Sequence, residues 1–285
     1  MHTRLRNLVL SLTGAIALAA ATPSWSQTGD LLARIEANKE ITIATEARFS
    51  PFEYVDKGKI VGYDSDLLAY VMKSLPDVKV KQLDLPFQGI LPGLDAKRFD
   101  MVVTAVTINK DRASHFAFTV PVADATPGVL LRTNETSIKS LSDLNGKVVG
   151  SLTGSAQLLA LIDFDKKLKA AGQPGLKQIK QYVSFDEAYA DLAVGRLDGV
   201  AQAVSNLGPL MQSRPGVFSV MHQTIGPKSY FAWVARKDAD SGSLVKRFDD
   251  AIARANKDGT MKALQKKWFG STMDVPVDAV PAPTM

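Results

Sequence analysis

The stretch Met101-Val102-Val103-Thr104-Ala105-Val106-Thr107-Ile108, followed by Asp111-Arg112, is apolar on both strand faces except at Thr104 and Thr107. A strand that is apolar on both faces is buried on both, and helices usually do the covering. Strands and helices alternate outward from it. Upstream, residues 41–46 and 78–83 are β-rich. Between them a helix from Asp64 puts Leu67, Leu68, Val71, Met72 and Leu75 on one face. Residues 86–94 form a short helical piece. Downstream, Ser140 with Asp143 marks a helix start, and 147–152 reads as a strand. Gly154 opens a helix with Leu158, Leu161, Ile162 and Leu168 on one face, and Ser184 with Glu187 fits a capping box. Residues 197–203 and 229–235 read as strands, with a helix from Ser205 between them. Two helices, 243–256 and 260–268, break at Asp258-Gly259, and the Pro- and Ala-rich 276–285 is expected to be irregular. The alternation predicts an α/β fold with helix-covered sheets.

The first residues carry the address. Arg4 and Arg6 precede an uncharged apolar run over 8–21, and small residues follow at Ala19-Ala20-Ala21 and Ser24-Trp25-Ser26. This is the pattern of a secretory signal peptide over 1–26, too short for a comfortable membrane span. The expected mature chain of roughly 260 residues is comfortable for two domains. The chain has no cysteine, which excludes disulfides, thiolate chemistry and lipidation at a cysteine. Its net charge of +5 is spread along the chain without interleaved aromatics. The basicity therefore reads as solvated surface and not as a nucleic-acid face. His2 falls in the signal segment, and His115 and His222 stand alone. Neither a metal-ligand cluster, nor a nucleophile triad of known order, nor a phosphate-binding glycine loop is recognisable.

Several motifs recur in fixed order. The first is Phe49-Ser50-Pro51-Phe52-Glu53-Tyr54 with Val61-Gly62-Tyr63-Asp64-Ser65-Asp66-Leu67. The second is Phe87-Gln88-Gly89-Ile90-Leu91-Pro92-Gly93-Leu94 with Phe99-Asp100. The third is the buried strand with Asp111-Arg112 and residues 116–121. Then come Ser142-Asp143-Leu144-Asn145-Gly146-Lys147, Gly195-Arg196-Leu197-Asp198 and Trp268-Phe269-Gly270. This ordered set resembles the bacterial extracellular solute-binding proteins of family 3, such as the histidine, lysine/arginine/ornithine and glutamine binding proteins. The resemblance implies a two-lobed periplasmic-binding-protein type II fold with two hinge strands. Lobe one would comprise 27–121 plus 234–285, lobe two 128–228, and the crossings 122–127 and 229–233. It implies a periplasmic monomer without cofactor or metal. Its ligand would be an amino acid or related carboxylate, and its partner the membrane subunits of an ABC transporter.

Arg112 carries the most weight, because a planar guanidinium grips a carboxylate with two parallel hydrogen bonds. The resemblance assigns it the ligand α-carboxylate. Thr107, Ala105 and Thr104, near the end of the buried strand, offer backbone groups and hydroxyls. Phe49 and Phe87 are candidate aromatic walls. Gly154 and Ser155 lie where a strand turns into a helix, whose free amides suit an anion. Ala203 departs from the pattern, since amino-acid binders carry there the Asp that pairs with the ligand ammonium. Asp198 is expected to be structural. Glu46 stands where several relatives carry an acid that reads the ligand side chain, and it either takes over cation recognition or caps a turn. Two rival functions remain at this level: a dehydratase acting on prephenate or arogenate, and a sensory module.

Overall fold

A computed structural model describes residues 29–284, so the expected signal peptide over 1–26 lies outside it. Asp30 accepts a hydrogen bond from the Leu32 amide and caps α1 (Leu31–Asn38), which buries Leu31, Leu32 and Ile35. There follow β1 (Glu40–Thr45), β2 (Arg48–Phe49), β3 (Glu53–Asp56), β4 (Lys59–Val61), α2 (Tyr63–Val71), β5 (Lys79–Asp84), α3 (Phe87–Asp95), β6 (Met101–Thr107), α4 (Lys110–His115), β7 (Phe116–Phe118) and β8 (Ala123–Asp124). The second series is β9 (Pro127–Arg132), β10 (Val148–Leu152), α5 (Ala156–Ala170), β11 (Gln178–Tyr182), α6 (Phe185–Ala193), β12 (Gly199–Ala203), α7 (Val204–Ser213) and β13 (Phe218–Val220). The chain ends with β14 (Tyr230–Arg236), α8 (Gly242–Lys257) and α9 (Thr260–Phe269).

These strands make two large sheets of matching design. The first runs β5-β1-β6-β14-β7, with β8 also on β14, and the second runs β11-β10-β12-β9-β13. In each, one strand is parallel to two neighbours: β1 to β5 and β6, β10 to β11 and β12. An antiparallel strand then flanks the trio, β14 against β6 and β9 against β12. All seven residues of β6 are buried, as its two-sided apolar pattern requires. A third, small sheet is the meander β2-β3-β4.

Two passages join the large sheets. The chain leaves the first sheet through β8, enters the second at β9, and returns at β14. The passages lie side by side: Ala123 pairs with Phe231, Asp124 pairs with Tyr230, and the Ala125 amide donates to Ser229 O at 2.8 Å. Helices α8 and α9 pack on α1 and α2, so the C-terminal part returns to the first sheet.

The sequence misplaces some boundaries for physical reasons. Ser140 and Asp143 do form both halves of a capping box, yet only one 3-10 turn, Leu141–Leu144, follows. Gly146 takes a left-handed φ of 71° just beyond it, and a segment this short does not recover the cost of nucleating a helix. Ser155, not Gly154, caps α5, and Gly154 occupies the left-handed turn before it at φ 77°. The meander was hidden because its strands are two to four residues long.

Gly62 shows how tight that meander is. It precedes α2 at φ 136°, and a Cβ built on it would lie 2.2 Å from Phe52 O. Gly62→Ala is therefore expected to cost about 2 kcal/mol of stability. The check is the midpoint of urea unfolding, and an unchanged midpoint would mean that the turn relaxes freely.

Candidate functional site

In doubly wound sheets, ligands bind beyond the carboxyl ends of the parallel strands. Thr107 ends β6, and the chain turns at Asn109, whose side-chain oxygen accepts the Arg112 amide at 2.9 Å. Asn109 thus caps α4. Arg112 Nη1 donates back to Thr107 O at 3.2 Å, and Nη2 crosses to Gly154 O, beyond β10 of the other sheet, at 2.9 Å. The guanidinium carbon lies 5.4 Å from the centroid of the Phe87 ring. Arg112 is only 6% exposed, and no acidic group lies within 4 Å of it among the described residues. Burial lowers its pKa to about 10, so it stays cationic at neutral pH. Its hydrogen-bond partners are neutral carbonyls, and only the exposed Asp111, beyond 4 Å, favours its charge, so it lacks the full compensation that burial normally demands.

Arg112 lines a cavity of about 10 Å³ together with Glu46, Phe49, Phe87, Ala105, Thr107 and Ser155. That is room for about one water. Ala105 and Thr107 both face it because alternate residues of a strand share a face. Thr104 lies on the opposite face and its hydroxyl donates to Glu53 Oε1, away from the cavity. Gly154 takes part through its carbonyl. Ala203 is fully buried at the end of β12 but outside the lining, its amide bonded to Gln202 Oε1 at 2.7 Å. Ala156, beside Ser155 in the expected anion-binding turn, also lines it, and Leu152, Gln157, Phe185 and Phe231, which the sequence reading missed, complete the wall. Gln157 left a signal: it shares the α5 face of Leu161, Phe164 and Leu168, where a glutamine is out of place. Phe185 left none beyond starting a helix.

Glu46, just past β1, is 4% exposed. Burial raises its pKa to about 8, against the opposing pull of the Phe87 amide and Arg48. Behind it, Glu53 and Asp64 are fully buried together. Burial, and then the neighbouring Asp64 charge, push the Glu53 carboxyl well above its usual range. Burial takes Asp64 to about 7. Glu53 therefore keeps its proton at neutral pH, while Asp64 titrates close to it.

Residues 41–271 match the family described as bacterial extracellular solute-binding proteins, family 3. The chain belongs to that family. A relative from Haemophilus influenzae, named a probable amino-acid ABC transporter-binding protein, is 28% identical over 91% of this chain and 94% of its own. An ancestral arginine-binding protein solved with arginine is 31% identical over 81% of this chain and 99% of its own, with a TM-score of 0.70. An ancestral amino-acid-binding protein, described as a precursor of cyclohexadienyl dehydratase, is 25% identical over 85% of this chain and all of its own, also with a TM-score of 0.70. The fold is the two-lobed type II periplasmic-binding-protein fold. No helix among the described residues is long and apolar enough to cross a membrane.

In this family member the lobes are drawn tightly together. Gln88 Nε2 donates to Thr153 O at 3.1 Å, and Asn206 Nδ2 donates to Ser50 O at 3.1 Å. The Phe49 and Phe185 rings meet across the cleft with centroids 5.8 Å apart. A cavity of about 10 Å³ is far too small for an amino acid, so admitting one requires the lobes to part along these contacts.

Proposed function

We propose that this chain is an extracytoplasmic solute-binding protein that encloses a small amino-acid-like carboxylate between two lobes and delivers it to the membrane subunits of an ABC transporter. Arg112 is the observation that carries this reading: a buried guanidinium without a counter-ion, in the cleft between two sheets. It takes the ligand carboxylate, assisted by Thr107, Ala105 and Ser155. Glu46 takes the amino group, since Ala203 has no carboxylate to offer. Phe49 and Phe87 flank the body of the ligand. Lobe one is 27–121 plus 234–285, lobe two is 128–228, and 122–127 with 229–233 are the hinges. Segment 1–26 directs export to the periplasm and is cleaved, and the protein acts there as a monomer. The family membership and the amino-acid names of its relatives support this reading.

A thermal-shift screen against amino acids and related carboxylates tests it. A ligand at 100 times its dissociation constant stabilises the folded state by about 2.7 kcal/mol. A screen in which no such compound shifts the midpoint would sink the proposal. Because only differential affinity moves a conformational equilibrium, the ligand must touch both lobes. If the free protein in solution populates the parted form that admits the ligand, X-ray scattering should show a smaller radius of gyration at saturation, and superimposable profiles would count against closure.

A second reading, catalysis on prephenate or arogenate, is favoured by one observation. Glu46 is a carboxyl held protonated near neutral pH inside the cleft, as a general acid would be. His115 and His222 are exposed and outside it. Turnover of either compound by purified protein separates the two readings.

A further inference from the structure

Phe49 and Phe185 wall the Arg112 cavity on one side and a larger cavity, of about 200 Å³, on the other. The larger cavity spans the same cleft: Arg48 and Ser50 come from the first lobe, and Asp186, Tyr189, Gln202 and Arg214 come from the second. Gln202 is fully buried and donates to Tyr189 Oη at 3.2 Å, which gives the chamber a fixed polar wall. The guanidinium groups of Arg48 and Arg214 have no acidic partner within 4 Å among the described residues. Asp186 is the one acid in this wall, and it pairs with neither arginine. The chamber therefore carries two cations against one anion. Phe49 and Phe185, common to both linings, stand between it and the cavity of Arg112 and Glu46. When the lobes part to admit a ligand, that contact opens and the two chambers become one trough. Arg112 and Glu46 then lie on one side of the Phe49–Phe185 pair, and Arg48, Arg214 and Asp186 on the other.

We propose that the ligand site continues past Phe49 and Phe185 into this cationic chamber, and that its ligand is an elongated amino acid with a second carboxylate at the far end. The carboxylate and ammonium of such a molecule match Arg112 and Glu46 and its distal carboxylate the cationic side, whereas a distal ammonium meets two like charges with Asp186 alone to offset them. The inference rests on the Arg112 cavity being the ligand site.

Calorimetric titration with L-2-aminoadipate, L-norleucine and L-lysine tests it, because these share a six-carbon chain and differ only at the far end. L-2-aminopimelate and L-2-aminosuberate extend the acidic series. The best amino-dicarboxylate should bind roughly tenfold or more tightly than norleucine and lysine. Arg214→Gln should shrink that margin to about threefold or less and leave norleucine binding within about twofold, as loss of one tail-specific charge contact predicts. The proposal is overturned if lysine or norleucine binds as tightly as every dicarboxylate, if no dicarboxylate binds, or if Arg214→Gln weakens all three probes alike. Arg112→Ala, titrated in parallel, separates the two levels. If it leaves binding intact, the cleft reading itself fails. If it abolishes binding while the tail preference is missing in the parent protein, only the second chamber is lost.

Discussion

Arg112→Ala is expected to weaken binding of the carboxylate ligand by roughly 30- to 4000-fold, the range for truncating one member of a buried charged pair. The same substitution should leave the ligand-free fold nearly as stable as the parent. The guanidinium is buried without a counter-ion, so its removal relieves a desolvation cost while giving up two hydrogen bonds, to Thr107 O and Gly154 O. Binding and stability thus separate, which distinguishes a ligand anchor from a structural arginine. Arg112→Lys should recover only part of the affinity, because a point charge cannot reproduce the two-pronged grip. Titration calorimetry reads the affinity and urea unfolding reads the stability. A variant that binds like the parent would put the carboxylate elsewhere. One that unfolds readily would make Arg112 a brace between lobes.

Much of this site was legible because β-strand and helix-start rules act over a few residues. The two-sided apolar run at 101–108 announced a central strand, and Ser155 announced a turn with free amides. Thr104 was included beside Ala105 and Thr107, although the period of two already puts it on the other face, where it meets Glu53. α1 left a readable pattern, with Asp30 as cap and Leu31, Leu32 and Ile35 behind it, but it is only eight residues long and follows closely on the stretch that reads as a signal peptide. The contacts across the cleft were not legible at all. Phe49 meets Phe185, Gln88 meets Thr153 and Asn206 meets Ser50 only because two passages set one sheet over the other. Local patterns carry no record of that angle, so Gln202, Arg214 and the second chamber stayed hidden.

Ligand-free protein is expected to lose thermal stability as pH rises from about 5 to about 8.5, opposite to the behaviour of a protein held by ionised carboxylates. Glu46 sets the sign. Its ordinary pKa of 4.5 becomes about 8 on folding. Below 4.5 the carboxyl is protonated in both states and adds no pH dependence. Between 4.5 and 8 the unfolded chain releases the proton and the folded chain keeps it. The unfolded state then binds fewer protons, so stability falls with pH until about 8, where the loss is complete. At about 1.36 kcal/mol per pKa unit the ceiling for Glu46 is about 5 kcal/mol, and water entering the cleft brings the expected loss nearer 2 kcal/mol. Asp64 at about 7, Asp249 at about 6 and the raised Glu53 act with the same sign, all chiefly through burial. Asp143 and Asp258, whose carboxyls are held low by hydrogen bonds, titrate below this window and offset nothing within it. Glu46→Gln should flatten the curve by the Glu46 share. A melting temperature that stays level or climbs between pH 5 and 8 would mean that these buried acids are ionised in the folded protein. The same proton links stability to capture. A ligand ammonium arriving at Glu46 favours the carboxylate, so binding at pH 7 should expel up to about one proton. The measured binding enthalpy should therefore differ between buffers of different ionisation enthalpy. In Glu46→Gln that difference should vanish, while the carboxylate grip of Arg112 remains.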